Sequence, residues 1–339
     1  MYNYSIIIPH HNIPKLLERL LYSIPIRDDL EVIVVDDNSD KEIVDFEHFP
    51  GLGRKNCKVI FDKKGGGGGY ARNLGLKEAR GKWVLFADAD DFFNYCINDI
   101  LDEYINEESD IIFFKANSLD SDDYSTSDRG NDRLNFYIDH FEDNAETYTY
   151  LLKFKCGEPW AKIIKKNVID ENKISFEESI IHNDHRFGYM VGYHSKKIAL
   201  DKRALYCATT RKSSVSKNTS NEAILTRIRI FGEAEQFIKN HHIPAYAIWD
   251  WHITQLAELY VQNNKLFYEG AKTLLSLGFD QNELNKRLYY PISYLTYQTK
   301  KTTNKFSTKF HWIKYRIKVR YINKTREKLN RFPSYINIV

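Results

Sequence analysis

Residues 82–93 read KWVLFADADDFF, and this stretch decides what fold and chemistry the sequence predicts. Its first half is a short apolar run, and its second half places Asp88, Asp90 and Asp91 within four positions. Ionised carboxylates at the end of a buried strand repel one another and are costly to bury without a positive partner. A divalent cation supplies that charge, and hard oxygen ligands favour Mg²⁺ or Mn²⁺. The alternative for Asp91 is a cap on the next helix.

Three earlier apolar runs give the order of elements. They read YSIIIP at 4–9, LEVIVVDD at 30–37 and CKVIFD at 57–62, and the segments between the runs have the apolar spacing of helices. Strands and helices therefore alternate, and continuous apolar runs indicate a mostly parallel sheet with helices on both faces. This predicts an α/β, Rossmann-like fold. Ligands bind such sheets beyond the carboxyl ends of the strands, where polar residues follow all four runs.

Five consecutive glycines, Gly65 to Gly69, follow the third run in the stretch DKKGGGGGYARNLG. A P-loop is excluded because the required lysine is absent, and a dinucleotide fingerprint would follow the first strand. Two interpretations remain open, a flexible linker and a loop that passes close to a ligand before a helix beginning near Tyr70.

Composition excludes several classes of protein. The 339 residues are 42% apolar, which suits one large or two medium globular domains. Four widely spaced cysteines without a CxxC pair argue against a zinc site or a disulfide framework. Neither a signal peptide nor an apolar stretch of membrane-spanning length is recognisable. The expected location is the cytoplasm.

Several motifs together resemble a family 2 glycosyltransferase of the GT-A fold, an inverting enzyme of the kind that builds bacterial surface glycans. The resemblance covers about the first 215 residues, in the order and approximate spacing of the family. The matching stretches are SIIIPHHN (5–12), VIVVDDNSD (32–40), GYARNLGLKEARGKWVLFADADD (69–91), EPWAKIIKKNVI (158–169), NDHRF (183–187) and RKSSVS (211–216).

The resemblance implies a nucleotide-sugar site. Asp37 matches the aspartate that hydrogen-bonds the uracil ring. Asp88 and Asp90 match the DxD motif, the first near the ribose and the second on Mn²⁺ or Mg²⁺ bridging the diphosphate. Arg72 matches a basic residue beside the nucleotide, so the glycine run would pass under the donor. The other donor-site residues implied are Pro9, Asn12, Gly69 and Arg211.

The resemblance also implies the catalytic base and the acceptor side. Asp184 matches the aspartate that takes the acceptor proton at the start of a helix, although the family usually has Glu before it and this chain has Asn183. Trp160 matches a tryptophan near the acceptor sugar, and a packed core residue is the alternative. His185 is assigned to the acceptor side, and with His182 it could instead form a metal site, bind substrate or pack in a helix.

The predicted domains are a GT-A domain at 1–216, a helical accessory region at 217–299 and a basic aromatic tail at 300–339. About 1–100 would bind the nucleotide sugar and about 101–216 the acceptor. The tail carries a net charge of +11, which leaves −8 in the first 299 residues. We expect an amphipathic helix in the tail, although its alternation of apolar and basic residues also suits a strand. The tail would bind an anionic membrane surface or pack on the protein.

The predicted function is metal-dependent transfer of a hexose-type sugar, from a UDP-sugar to a hydroxyl of a glycan or lipid-linked glycan acceptor. The alternative is a catalytically silent subunit that binds a sugar nucleotide for a partner enzyme. No nucleic-acid partner is expected. The donor sugar, the acceptor, the linkage and the oligomeric state are not encoded in any motif.

Overall fold

The computed structural model describes residues 2–127, 129, 131–211 and 218–301, of which 290 and 293–301 are described by their backbone alone. The chain divides into two compact units, Met1–Asn218 and Thr219–Val339.

The first unit is built on one eight-stranded sheet with the strand order β3-β2-β1-β4-β7-β6-β8-β5. The strands are β1 (Tyr4–His10), β2 (Leu30–Asp37), β3 (Cys57–Asp62), β4 (Trp83–Phe86), β5 (Phe92–Phe93), β6 (Ile111–Asp120), β7 (Lys162–Lys165) and β8 (Ile198–Thr210). Strands β1 to β4 are mutually parallel, and so are β6 and β8, whereas β7 runs antiparallel to β4 and β6. The predicted mostly parallel α/β sheet is therefore confirmed.

Burial explains the apolar runs that predicted these strands. Strand β2 is buried along its whole length, and β1 nearly so, because both have neighbours on two sides and are covered on both faces. Strand β3 alternates between half-buried and exposed positions because it lies at the edge of the sheet. The core of this unit includes Ile7, Val34 and Trp83, each at most 1% exposed.

Seven α-helices lie among the described residues of the first unit. They are α1 (Pro14–Ser23), α2 (Gly67–Glu78), α3 (Ile97–Glu103), α4 (Asn131–Asp139), α5 (Ala145–Lys155), α6 (Lys166–Glu171) and α7 (His185–His194). Helix α1 has Pro14 at its first position, where the missing N–H would be unpaired in any case, and it buries Leu17, Leu20 and Leu21. The apolar spacing of this segment is thus that of an amphipathic helix.

The second unit is helical, as predicted for this part of the chain. Its helices are α8 (Asn221–Asn240), α9 (Trp251–Gln262), α10 (Asn264–Ser276) and α11 (Gln281–Lys301). Their apolar faces form a separate core that includes Ile228, Leu256, Phe267 and Leu288.

A charged cluster lies within the core of the second unit. The carboxylate of Glu235, 1% exposed, accepts hydrogen bonds of 2.6 and 2.9 Å from Arg287. Lys239 lies 2.9 Å and the buried His252 3.0 Å from the same carboxylate. Burial alone would raise the pKa of Glu235, but hydrogen bonds from His252 and Arg287 lower it well below its usual range. Three positive or polar groups therefore hold Glu235 ionised inside the helical unit.

Among the described residues, the structure has no helix that is long and apolar enough to cross a bilayer. The predicted basic tail at 300–339 lies outside the described residues from 302 onward.

Candidate functional site

A cleft of about 700 Å³ opens at the carboxyl ends of β1, β2 and β4. Its size is that of sites that take small molecules and cofactors. Of the eleven site residues predicted from the sequence, eight line this cleft, namely Pro9, Asn12, Asp37, Arg72, Asp88, Asp90, Asp184 and Arg211. The other three, Gly69, Trp160 and His185, lie outside its lining. Parallel strands bring these side chains together because their carboxyl ends share one edge of the sheet.

One wall of the cleft is the turn after β1, which is fastened to the turn after β2. The buried Asp36 accepts hydrogen bonds from His10 Nδ1 at 2.7 Å and from the Ser39 hydroxyl at 2.5 Å. The Ile13 amide donates to His10 Nε2, so the ring proton lies on Nδ1. Asn12, with φ +58°, donates from its amide to Ser39 Oγ. These bonds hold the two turns together without using Asp37.

The carboxylate of Asp37 caps the helix that starts in the glycine run. Its oxygens accept hydrogen bonds of 2.8 Å from the Gly66 amide and 2.7 Å from the Gly67 amide. Helix α2 begins at Gly67, three residues before the predicted start near Tyr70. The early start is possible because Gly65 and Gly67 adopt φ +65° and +84°, which only glycine does without strain. The glycine run is therefore an ordered turn and helix start, and the linker interpretation is wrong.

Gly67 and Gly68 line the cleft, while Gly69 faces the protein behind it. A Cβ on Gly69 would lie 2.1 Å from the carbonyl oxygen of Glu177 and 3.0 Å from Cβ of Asn183. The structure therefore places Gly69 against the segment 176–184, and not in the nucleotide-binding wall where the sequence prediction put it. The lack of a side chain lets the helix and this segment approach closely.

Three carboxylates follow β4, but only two of them face the cleft. Each of Asp88, Asp90 and Asp91 offers an oxygen, and these oxygens lie within 4.8 Å of one another. Asp88 and Asp90 line the cleft. Asp91 is fully buried and accepts hydrogen bonds from the Tyr206 hydroxyl at 2.9 Å and the Thr209 amide at 2.6 Å. It does not cap a helix, because α3 begins only at Ile97.

Three arginines balance these carboxylates. Arg72 Nη2 donates to Asp88 at 2.5 Å, and Arg211 Nε donates to Asp90 at 2.6 Å. Arg129 Nη1 donates to Asp91 at 2.8 Å, and its Nη2 lies 3.8 Å from Asp88. All three arginines line the cleft. The cleft therefore holds three cationic side chains that are suited to the negative charge of a diphosphate.

Burial and neighbouring charges shift the pKa values of these carboxyl groups. Burial alone would raise the pKa of Asp88, but Arg72 and Arg129 lower it below the usual value. Burial raises the pKa of Asp91, Arg129 opposes that shift, and the two other aspartates add to it. Asp88 is thus held ionised, as an oxygen ligand for a cation must be.

The donor set fits the divalent cation that the sequence predicts. Asp88 and Asp90 supply hard carboxylate oxygens at the cleft surface, and Mg²⁺ and Mn²⁺ prefer such oxygens. Asp91 uses its oxygens for internal hydrogen bonds, which reduces the set of candidate ligands to two. His182 and His185 are not part of any cluster of metal-ligating side chains in the described ranges.

Trp160 packs beneath the acidic cluster. Its indole is 5% exposed and stacks on Tyr206, with the ring centroids 5.6 Å apart and the planes at 8°. The Tyr206 hydroxyl in turn accepts from the Asp88 amide at 2.9 Å and donates to Asp91. The burial of Trp160 favours its interpretation as a core residue. Its stack on Tyr206 supports the loop that carries the acidic residues, because the Tyr206 hydroxyl bonds both Asp88 and Asp91.

Asp184 lines the cleft and is the residue immediately before α7. Burial raises the pKa of its carboxyl group to about 6, Arg72 opposes this shift, and Glu158 and Asp88 add to it. A carboxylate with a pKa near neutrality, poised at the edge of a cleft, has the properties of a general base.

His185 is buried beside Asp184 and stands away from the cleft. Its Nδ1 would lie 3.3 Å from a Cβ on Gly157, and its ring meets Tyr189 edge to face at 5.8 Å. Burial, His182 and Arg133 lower the pKa of His185 to about 3, so its ring is neutral. This placement gives His185 a packing contact, whereas His182, with φ +51°, lines the cleft.

Arg129 and Asn183 are two of the cleft residues that were not singled out as binding residues in the sequence. Arg129 lies in the polar stretch SDRGNDR, which has no periodicity to distinguish it. Asn183 lines the cleft and accepts a hydrogen bond of 3.0 Å from Arg72 Nη1. In the sequence, Asn183 was noted only because the family pattern usually has Glu at this position. Of the motif RKSSVS, residues 212–216 lie outside the described residues.

Comparison with known proteins agrees with this architecture. Residues 5–161 match the model of glycosyl transferase family 2. It is 28% identical over 222 residues to the poly(ribitol-phosphate) beta-N-acetylglucosaminyltransferase TarS of Staphylococcus aureus, a match of 62% of this chain and 36% of TarS. It is 27% identical over 271 residues to the minor teichoic acid biosynthesis protein GgaB of Bacillus subtilis, covering 72% of this chain and 28% of GgaB.

A solved structure shares the fold. The crystal structure of S. aureus TarS 1–349 in complex with UDP-GlcNAc superposes with a TM-score of 0.62 at 22% identity, over 86% of this chain and 88% of that one. The GT-A fold and the helical region after it are therefore confirmed. The match to the two curated relatives covers only about a third of their length, 36% and 28%.

Proposed function

We propose that this protein transfers a sugar from a UDP-sugar to a hydroxyl group of a glycan or lipid-linked glycan acceptor, with inversion at the sugar. The observation that carries this proposal is the composition of one cleft, which holds Asp37, the carboxylate pair Asp88 and Asp90, Arg72 and Asp184. A nucleotide-sugar transferase needs a pocket for the base, charge stabilisation for the diphosphate and a base for the acceptor.

The nucleoside would bind between the turns after β1 and β2. Pro9 and Asn12 form one side of this wall and Asp37 the other. Each Asp37 oxygen accepts one amide hydrogen bond and has a further lone pair, so Asp37 can also accept from an imide N–H such as that of uracil. The internal bonds of Asp36 keep the wall in place before a ligand arrives.

Asp88 and Asp90 are the residues that would hold Mn²⁺ or Mg²⁺. A divalent cation there supplies positive charge to the departing diphosphate as a Lewis acid. Arg72, Arg129 and Arg211 line the same cleft and donate hydrogen bonds to the aspartates. Their guanidinium groups are suited to phosphate oxygens because the fixed fork of N–H donors matches them. These side chains would bind and orient the diphosphate.

Asp184 would take the proton of the acceptor hydroxyl. The acceptor oxygen then forms a bond to the anomeric carbon while the bond from that carbon to the diphosphate oxygen breaks, and the leaving group departs on the opposite face. Proton transfer to a positioned carboxylate contributes roughly 10² to 10⁴ in rate. The raised pKa of Asp184 favours this role, since a base with a pKa near 6 retains the proton better than an exposed aspartate does.

The relatives suggest the class of donor and acceptor. TarS is named for N-acetylglucosamine transfer to poly(ribitol phosphate), and GgaB for minor teichoic acid biosynthesis. Since this chain resembles both in sequence, UDP-GlcNAc is the first donor to test, and anionic surface polymers are the first acceptors.

The test is a screen of UDP-sugars for UDP release, first with water and then with glycan or poly(ribitol phosphate) acceptors, in Mn²⁺ and in a chelator. The proposal expects release from one or a few donors that rises with acceptor and stops with the chelator. Tight UDP-sugar binding without release under any of these conditions would support the silent-subunit alternative instead.

We further propose that residues 300–339 bring the protein to the cytoplasmic face of an anionic membrane. The support is their charge of +11 together with Trp312, Tyr315 and Tyr321. Each basic residue near such a surface contributes about 1 kcal/mol, and the attraction weakens as salt is added. The full chain should sediment with anionic vesicles at low salt, and a chain ending at Lys300 should not. If both stay in the supernatant, the membrane role is wrong.

A further inference from the structure

The segment that carries Asp184 is fastened to the first turns of α2. Asn73 of α2 donates from Nδ2 to the Phe176 carbonyl at 2.9 Å and accepts from the Phe176 amide at 2.8 Å. The Glu177 amide donates to the Asn183 carbonyl at 3.0 Å, which closes the segment into a loop. Gly69 allows the helix to touch this loop at Glu177. The base therefore stands at the end of a loop that rests on the helix of the glycine run.

Arg72 connects this loop to the acidic cluster. Its Nη1 donates to Asn183 Oδ1 at 3.0 Å, and its Nη2 donates to Asp88 Oδ1 at 2.5 Å. The guanidinium also lies over the ring of Phe176, 5.4 Å from the ring centroid. Arg72 is only 7% exposed, so these contacts fix its position. One side chain thus joins the carboxylate proposed to hold the cation to the residue beside the proposed base.

The chemistry of residue 183 matters for this connection. The amide of Asn183 accepts the hydrogen bond without adding a charge, so Asp88 is the one carboxylate of the two side chains to which Arg72 is shown to donate. A Glu at this position, which the family pattern has, would add a second negative charge beside Arg72 and next to Asp184. Two carboxylates would then share the positive charge of Arg72. The added negative charge would also disfavour the ionised form of Asp184.

We propose that Asn183 is a positioning residue for the base Asp184, and that it acts through its hydrogen bond with Arg72. This proposal rests on the proposed transferase function. Asn183 keeps the base loop on α2 and leaves the charge of Arg72 available to the donor. Asn183 does not itself exchange a proton with the substrate.

The test compares three variants of the full chain. Asn183→Ala removes the acceptor for Arg72, and Asn183→Asp keeps an acceptor oxygen of the same shape. Asn144→Ala is the control, because Asn144 also accepts one hydrogen bond, from the Thr147 amide at 2.9 Å, but caps α5 and does not line the cleft.

Hydrogen exchange gives the first readout and needs no substrate. In Asn183→Ala the backbone amides of 176–184 should exchange several-fold faster than in the unmodified chain. In Asn183→Asp and in Asn144→Ala the amides of this segment should exchange at nearly the original rate. Unchanged exchange of this segment in Asn183→Ala would overturn the proposal.

Kinetics gives the second readout. A misplaced catalytic group lowers the rate by about 10-fold to 100-fold, so kcat of Asn183→Ala should fall by that factor while the Kd for UDP, measured by calorimetry, changes less than about threefold. Asn183→Asp keeps the hydrogen bond to Arg72 but adds a carboxylate beside it, so its kcat should lie between those of Asn183→Ala and the unmodified chain. Equal loss of UDP affinity and kcat in Asn183→Ala would contradict positioning through Arg72. An unmodified chain that transfers no sugar would refute the proposed function, and the exchange comparison would still decide whether Asn183 anchors the loop.

Discussion

Gly69→Ala tests how closely α2 and the base loop pack. A Cβ at this position would lie 2.1 Å from the Glu177 carbonyl oxygen, whereas carbon and oxygen normally stay at least about 3.3 Å apart. Because the obstacle is backbone, no side-chain rotation relieves the overlap. Either the loop 176–184 or the start of α2 has to move. Overpacking of this kind costs about 1–3 kcal/mol of folding free energy.

Gly68→Ala is the matched control. Its Cβ would meet Arg72 Nη1 at 3.3 Å and Asn183 Nδ2 at 3.8 Å, which are the ends of side chains and leave room. Alanine is favoured over glycine in a helix by up to about 1 kcal/mol, and this gain applies to both variants, so it cancels when their stabilities are compared. Gly69→Ala should therefore be less stable than Gly68→Ala by about 1–3 kcal/mol.

Urea unfolding at 25 °C measures this difference, with tryptophan fluorescence as the signal, since Trp83 and Trp160 both lie in the first unit. Circular dichroism should show that both variants keep their helical content before unfolding begins. If Gly69→Ala unfolds at the same urea concentration as Gly68→Ala, or at a higher one, the close approach between α2 and Glu177 is refuted.

Three further predictions concern the metal, the base and the helical unit. Asp90→Asn should lose Mn²⁺-dependent UDP binding in calorimetry while its circular dichroism spectrum is unchanged, and Mn²⁺ binding at full strength would exclude Asp90 as a ligand. Asp184 must be ionised to act and its pKa is raised to about 6, so kcat/KM should rise with pH through an acid limb near pH 6. Asp184→Asn should lower kcat by roughly 10² or more and leave UDP affinity unchanged. Glu235→Ala leaves the buried partners of Glu235 without their carboxylate and should cost about 3–5 kcal/mol in urea unfolding. The partly exposed i, i+4 pair of Glu233 with Arg229 gives the control, since Glu233→Ala should cost about 0.5 kcal/mol or less.

The pH dependence of stability has a defined sign at Glu235. Its pKa in the folded protein lies below the unfolded value of about 4.3. The stabilising contribution of Glu235 is therefore fully present above that unfolded value and is lost as the pH falls toward the folded pKa. Acid should destabilise the helical unit of the unmodified chain more than that of Glu235→Ala.

The parallel half of the sheet was predictable because burial leaves a direct trace in sequence. Strand β2 is covered on both faces, so VIVV at 32–35 has no polar interruption, and the predicted limits of β2 and β3 agree with the structure. Strand β4 ends at Phe86, which leaves Asp88 and Asp90 free to face the cleft, as the position of the carboxylates suggested.

The details of the site were less predictable because they depend on contacts between distant residues. Glycine has low helix propensity, so nothing local indicated that α2 begins at Gly67, and the cap comes from Asp37, 30 residues earlier. The bond from Arg72 to Asn183 joins residues 111 positions apart. Trp160 could have faced either the cleft or the core, and its burial and its stack on Tyr206 identify it as a core residue.

The central claim is that the cleft transfers sugar, and the mass of the acceptor tests it most directly. The full chain would be incubated with UDP-GlcNAc, or with the donor that the screen identifies, together with Mn²⁺ and a poly(ribitol phosphate) or glycan acceptor. The account predicts an acceptor heavier by whole sugar residues, no such product with chelator, and loss of nearly all product with Asp184→Asn. An acceptor that stays unmodified with every UDP-sugar, or that Asp184→Asn modifies at the original rate, would contradict it.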